Sequence, residues 1–489
     1  MNSSDAHTPK KKSTVKFAIM SVIGVFLFMV PIPDGQGAFN IPLGYAISWL
    51  GSTLNAMEIN GFGLIFFLAC VVITISFLGT AIAYMAKLQA YVILWGSSDN
   101  PYSVLKEREE RDKEGPLKLF LCHPIYFASK TIAVIVAWMV FFRVGPEWLV
   151  GWDGGRLMMD LISGNSGLMA IFLIIGIAIP LLTDFGLMEF LGVLIKKVIR
   201  FLFTLPGRSS IDLLGSWFSS SAAGVIITRD QHEKGYYTDR EAAAICVNFT
   251  LVSLPFTFVV ASTIGLTAYF ALFYMVICVT AILLAVVMPR IWPLSKIKDE
   301  YLPEVGKQID EEVPQNTSLF SQATKLASQR ANKTMSDDVL KSGASNWLNI
   351  FMDLIPIILA WGTVALIINA QTPIFQWLSW PFGQFMRLLQ VPGAMEYAPA
   401  TIAGFIDMFI PAIMLGTRDA YEVFIAPIQT RFILGALSIV QIVYMAETGI
   451  LILKSKIPLH IGHLAVIFVM RTVFALPVIV LLTRLLFNP

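Results

Sequence analysis

Carboxylates and arginines set inside long apolar runs are the residues of this sequence best placed to do chemistry. A charged side chain in hydrocarbon is costly unless it is paired, faces water or holds a ligand. Asp184 follows Pro180, Asp353 precedes Pro356, Asp407 lies in a run punctuated by Gly and Pro, and Glu447 ends another apolar stretch. Such carboxylates suit the binding of a coupling proton or sodium ion. Asp184 and Glu447 also fit positions at a membrane interface, whereas Asp353 and Asp407 are less easily explained that way. Asn248 and Ser253, in a further apolar segment, add neutral donors and acceptors for a polar solute.

Two Arg-Asp pairs, Arg229-Asp230 and Arg418-Asp419, each close a small-residue run. Each Arg either pairs structurally, with its neighbour or with the other copy, or holds an anionic group of a ligand. The first run, LLGSWFSSSAAGVIIT, is too short and too rich in Gly, Ser and Ala for a lipid-facing span, and reads as a re-entrant hairpin tip packed inside protein. Its Ser216, Ser219, Ser220 and Ser221 offer hydroxyls to a solute or to free carbonyls. The second run, residues 397–416, carries Pro399, Gly404, Pro411 and Gly416 around Asp407. Thr238-Asp239-Arg240-Glu241 precedes an apolar helix and reads as an N-terminal cap, with structural pairing as the role of its charges.

Enzyme signatures are missing. No G-x-G-D, H-E-x-x-H or G-x-S-x-G pattern supports an intramembrane hydrolase. Cys70, Cys122, Cys246 and Cys278 are scattered without C-x-x-C spacing, and His123, His232, His460 and His463 lie near loops, so neither a metal site nor a cofactor is expected.

The elements that must position these residues are membrane helices. Hydrophobic residues make up 56% of the chain and charged residues 14%, far from an ordinary soluble domain. A net charge of +2 with no basic stripe gives no reason to expect a nucleic-acid partner. Runs long enough for about 30 Å of hydrocarbon lie near 17–33, 62–86, 125–145, 167–183, 242–264, 266–289, 347–370, 425–447 and 462–486, which gives about nine crossings of a lipid bilayer. Residues 186–204 and 374–390 read instead as amphipathic interfacial helices. Lysines 10, 11, 12 and 16 precede a first run that lacks a cleavage site, so an uncleaved span is expected. Lys and Arg collect at the N-terminus, at 87–118, at 290–341 and at 454–456, which predicts a multi-pass protein of the bacterial inner membrane with its N-terminus in the cytoplasm. The polar stretch 290–346 reads as a linker with a short helix at 319–333.

The order of features repeats. An interfacial helix, then Pro206-Gly207, Gly215 and Thr228-Arg229-Asp230 is matched by an interfacial segment, then Pro392-Gly393, Gly404 and Thr417-Arg418-Asp419, and the Gly-to-Thr interval is the same in both. The expected organisation is N-terminal helices over 1–150, a first repeat over 151–289, the linker, and a second repeat over 347–489. With the span count above, the copies enter the membrane from opposite sides. Inverted repeats with broken helices place a solute site near the midplane.

The stretch 213–256 resembles the YjiH family of bacterial membrane proteins. That family carries the nucleoside-recognition Gate domain, shared distantly with concentrative nucleoside transporters, the ferrous-iron transporter B and the spore maturation membrane proteins. The pattern is met by Gly215, Ser216, Gly235, Asp239, Arg240, Glu241 and Ser253. The resemblance implies an all-α membrane fold of two Gate-type repeats with re-entrant hairpins. It also implies transport or gating of a small polar solute such as a nucleoside, amino acid or peptide, with a coupling Na+ or H+. The other function it leaves open is a non-catalytic accessory or scaffold subunit; a homodimer or a second Gate-domain protein is the expected partner.

Overall fold

Backbone amides have no water partner in hydrocarbon, so a chain of this composition satisfies them within helices. The computed structural model describes residues 11–30, 32–33, 39–97, 120, 124–151, 155–164, 167–203, 205–218, 220–307, 318–334, 343–344, 347–348, 350–416 and 425–487. Among them, strands are limited to two two-stranded ladders, Ile32–Pro33 with Phe39–Asn40 and Glu58–Ile59 with Phe62–Gly63.

In chain order the helices begin with α1 (Lys11–Met29), α2 (Pro42–Asn55), α3 (Leu64–Ser97), α4 (Pro124–Phe142), α5 (Gly155–Ser163), α6 (Leu168–Thr183) and α7 (Leu187–Phe203). Next come α8 (Ser209–Phe218), α9 (Ser221–Glu233), α10 (Asp239–Asn248), α11 (Leu254–Thr263), α12 (Phe270–Val287) and α13 (Leu319–Lys333). The last are α14 (Ile355–Gln371), α15 (Ile374–Leu388), α16 (Pro399–Ala403), α17 (Ile410–Leu415), α18 (Ile428–Val440), α19 (Ile450–Leu453) and α20 (Ile461–Phe487).

Five helical stretches among the described residues are long and apolar enough to cross a membrane, or seven when each of two bent pairs counts as one span. The protein is therefore an all-α, multi-pass membrane protein. The nine apolar runs of the sequence do not map onto nine unbroken helices. The run at 242–264 divides into α10 and α11, because the chain leaves helical geometry between Phe249 and Ser253 and restarts at Leu254-Pro255. Proline at the start of a helix has no N–H to leave unpaired there. Hydropathy registers the apolar run but not the break.

The chain divides into two compact units, one of residues 1–45, 177–343 and 373–489 and one of residues 46–176 and 344–372. The smaller unit packs α3, α4, α5 and α14. Phe62, Phe66, Phe67, Trp138 and Phe141 form one aromatic cluster there, and Trp138 Nε1 donates to Thr74 at 2.8 Å. Within the same unit the fully buried Lys130 donates to Asp353 at 2.7 Å and to Thr80 at 3.1 Å. Asp353 lies in a π-type turn, Ile350–Leu354, ahead of α14, and the Ser76 hydroxyl donates to the Met352 carbonyl in that turn. The cost of burying an ammonium group in this unit is thus offset by one carboxylate and one hydroxyl.

In the larger unit, α7 packs on α8 and α13, and α13 also packs on α1. The linker helix expected at 319–333 is α13, capped by Ser318 accepting from Ser321 N at 3.2 Å. Gly186 turns the chain from α6 into α7 with φ +95°, and a Cβ there would lie 2.4 Å from the Ala327 carbonyl oxygen of α13. A glycine is needed at this turn for both reasons.

Asp353→Asn is expected to lower stability by about 1–3 kcal/mol, below the loss typical of a fully buried pair because the Asp353 side chain is 43% exposed. Lys130→Met combined with Asp353→Asn should recover part of that loss. A double-mutant cycle on thermal unfolding in detergent measures both.

Candidate functional site

Four interruptions of helical geometry gather in the larger unit. The first joins α8 to α9, where Ser220 in extended geometry accepts a hydrogen bond from Ala223 N at 3.1 Å. The two helices pack closely because Gly224 faces Ser216; a Cβ at 224 would overlap the Ser216 hydroxyl. The second lies between α10 and α11. The third joins α16 to α17, each of which has a proline at its first or second position, and there Asp407 accepts from Phe409 N at 2.8 Å. The fourth follows α18, where Ile442 adopts φ +60° before a π-type turn, Met445–Gly449, leads into α19.

These breaks satisfy one another. Ser221 Oγ of the first donates to Leu251 O of the second at 3.4 Å. Met445 N and Ala446 N of the fourth donate to Phe405 O and Ile406 O of the third at 2.8 and 3.0 Å. Glu447 accepts from the Tyr444 hydroxyl at 3.2 Å, and the turn that carries it packs on α9, with Glu447 facing the backbone of Ala222 in the N-terminal turn of that helix. The unpaired amides of that turn carry partial positive charge, which favours an anion there. Asp407 is close enough for its charge to reach Glu447. Among the described residues, no lysine, arginine or histidine pairs with either carboxylate.

Behind the second and fourth breaks stands Arg471 of α20, fully buried. Its guanidinium donates twice to Val440 O, at 2.9 and 2.6 Å, and to Val247 O and Asn248 Oδ1, at 2.9 and 2.7 Å. Gln441, at the fourth break, donates to Thr401 O at 3.0 Å and Thr472 Oγ1 at 2.8 Å, and Gly404 leaves it room. The arrangement is a set of opposed half-helices with two carboxylates at their broken ends. It offers a small polar solute both acceptors and N-terminal dipoles.

The residues singled out from sequence separate into two groups. Ser220, Ser221, Asn248, Asp407 and Glu447 come together at the breaks. Ser216 is buried beside them but spends its hydroxyl on Asp212 O at 3.1 Å, and Ser253 precedes α11 without a side-chain cap bond. Ser219, Arg418 and Asp419 lie outside the described residues, as do Cys122 and His123.

Others serve local structure. Arg229 pairs with Glu233 at 3.8 Å and Asp230 with Lys234 at 2.6 Å, each one helical turn away rather than with each other. Thr238 and Glu241 form the capping box of α10. Asp239 meets the buried His232 at 2.7 Å, and Arg240 is half-buried next to it. Asp184 accepts from Thr183 at 3.0 Å in the α6–α7 turn, and Asp353 belongs to the smaller unit. Tyr444, Gln441 and Arg471 were not found by sequence reasoning. Arg471, an ionisable residue in the middle of an apolar run, carried the same signal as Asp407.

A family model for nucleoside recognition, the Gate domain, matches residues 166–267. That range covers α8 to α11 and with them the first two breaks, so the protein is a multi-pass membrane protein carrying a Gate domain. An uncharacterized protein of Alkalihalophilus pseudofirmus is 38% identical over 477 residues, 97% of this chain and 95% of that one. The chain belongs to the same family as that protein. Two solved structures of CNTnw variants in an outward-facing state are similar at a TM-score of 0.38. One is 14% identical over 97% of this chain and 100% of its own, and the other 16% identical over 90% and 98%.

Gly224→Ala is expected to cost about 1–3 kcal/mol by forcing α8 and α9 apart at Ser216. Thr238→Ala removes one cap and is expected to cost about 1 kcal/mol. Thermal unfolding of the two variants side by side checks the ranking.

Proposed function

We propose that the protein is a secondary transporter that moves a small polar solute across the bacterial inner membrane by alternating access, coupled to an ion gradient. The observation that carries this reading is the convergence of four helix breaks on Asp407 and Glu447 in one unit. Unwound backbone at membrane depth is tolerated only where it is buried in protein or lines a water-filled cavity. Carboxylates at such breaks are the groups by which broken-helix transporters hold solutes and coupling ions.

The solute contacts on this reading are Ser220, Ser221, Asn248, Asp407 and Glu447, with Ser216, Ser219, Ser253 and Arg418 as further members; Arg229, expected among them from sequence, is committed to Glu233. Asp184, Asp353, Asp407 and Glu447 are the groups available to a coupling H+ or Na+. The description of the matched domain as nucleoside recognition favours a nucleoside among the solutes; an amino acid or small peptide fits the same chemistry. The distribution of Lys and Arg supports a cytoplasmic N-terminus. Residues 151–289 and 347–489 are then the two inverted repeats, joined by 290–346.

A ligand that binds only the folded state raises apparent stability, by about 2.7 kcal/mol at a hundredfold excess over Kd. Thermal unfolding of the purified protein with nucleosides, amino acids and dipeptides is expected to yield one class that shifts the transition. Asp407→Asn and Glu447→Gln are each expected to reduce that shift at least tenfold in apparent affinity. If no solute class shifts the protein, and proteoliposomes take up none, the reading is wrong.

A further inference from the structure

Arg471 is a full positive charge inside the site, and solute binding by Asp407 and Glu447 gives it no task. It lies midway along α20, an apolar helix of 27 residues, and is fully buried. Among the described residues no carboxylate pairs with it. Its partners are carbonyl ends: the last carbonyl of α18, the penultimate carbonyl of α10 and the side-chain oxygen of Asn248.

Each helix C-terminus carries roughly half a negative charge. Two of them, with an amide oxygen between, make a nest of acceptors that calls for a cation. Half-helix C-termini and unwound carbonyls are also where broken-helix transporters coordinate sodium.

Here the chain meets those acceptors itself. The planar guanidinium presents its donors as a fork, so one side chain bridges two helix ends that a lysine ammonium would have to choose between. Hydroxyls also donate to carbonyls within the same two breaks. Ser221 donates to Leu251 O, and Thr257 to Ser253 O at 2.9 Å. Thr448 donates to Ile442 O and Tyr444 O, each at 3.1 Å.

We propose that Arg471 is a tethered cation that takes the place of a coupling sodium ion between the C-terminal ends of α10 and α18, so that the site assembles without sodium. The word coupling rests on the transport reading given above. The assembly of the two helix ends around a cation does not.

The test is thermal unfolding of the full chain in NaCl, KCl and choline chloride at equal ionic strength, for the wild type and for Arg471→Gln. The wild type is expected to unfold at the same temperature in all three salts. Arg471→Gln is expected to unfold several degrees lower and to regain part of the loss in NaCl but not in choline chloride, because the vacated acceptors then bind a free cation. A sodium-specific rise in the wild type that persists in Asp407→Asn and Glu447→Gln overturns the proposal, and so does an Arg471→Gln loss that is the same in every salt. A rise that these two carboxylate variants abolish is sodium bound at the carboxylates instead. Should Arg471→Gln not fold, Arg471→Lys and the wild type decide: sodium insensitivity in both supports the tethered cation, and a sodium response in either that persists in the carboxylate variants rejects it. These readouts concern folding alone, so they keep their meaning if no transported solute is found.

Discussion

Every helix break in a membrane protein strands backbone donors and acceptors where water cannot meet them, and the larger unit is organised around meeting them from within. A buried unpaired amide or carbonyl costs on the order of 1–3 kcal/mol. Four uncompensated breaks would therefore approach the whole stability of a domain. The breaks are placed to serve each other instead. Residues 445–446 donate to 405–406, Ser221 donates to Leu251, and Arg471 closes the ends of α10 and α18. None of these bonds is local in sequence. Each break is stable only when its partners are folded, so the site and the core of the unit are the same structure.

That mutual dependence explains how much of the site could be seen in the sequence. The close α8–α9 packing and the start of α10 were legible because their causes are local: small residues at 215–224 and a capping box at 238–241 act within a few residues of where they are written. Asp407 and Glu447 were legible as charges in apolar runs. The pairing of their segments was not, because no periodicity or turn signal couples residue 405 to residue 445. The break at 249–253 was hidden for a related reason. Its residues are apolar or hydroxylic and read as the middle of a span, while the bonds that allow it to unwind come from Ser221 and Arg471 elsewhere in the chain.

Of the two Arg-Asp pairs distinctive in sequence, the described one, Arg229-Asp230, is committed to ion pairs within α9. Arg229 and Asp230 are adjacent in sequence but point to different neighbours on the surface of α9, since side chains one residue apart on a helix diverge by about 100°. Their partners one turn onward were present in the sequence, as Glu233 and Lys234. A repeated dipeptide drew attention away from a helical spacing that already accounted for the first copy.

Pairing separates the charges of the larger unit into two kinds. Arg229, Asp230, Lys234 and Glu233 keep partial access to solvent, and exposed pairs of this sort are worth little. Asp407, Glu447 and Arg471 are held without opposite charges as partners, by backbone groups and by the neutral side chains of Tyr444 and Asn248. Backbone dipoles are fixed in direction by the helices that carry them, so such charges are oriented by the fold rather than by each other. On the transport reading, a solute or ion arriving among them finds acceptors already aimed. Arg471 is buried and Asp407 and Glu447 are half-buried without ion pairs, and the cost of withdrawing them from water is offset by these oriented partners.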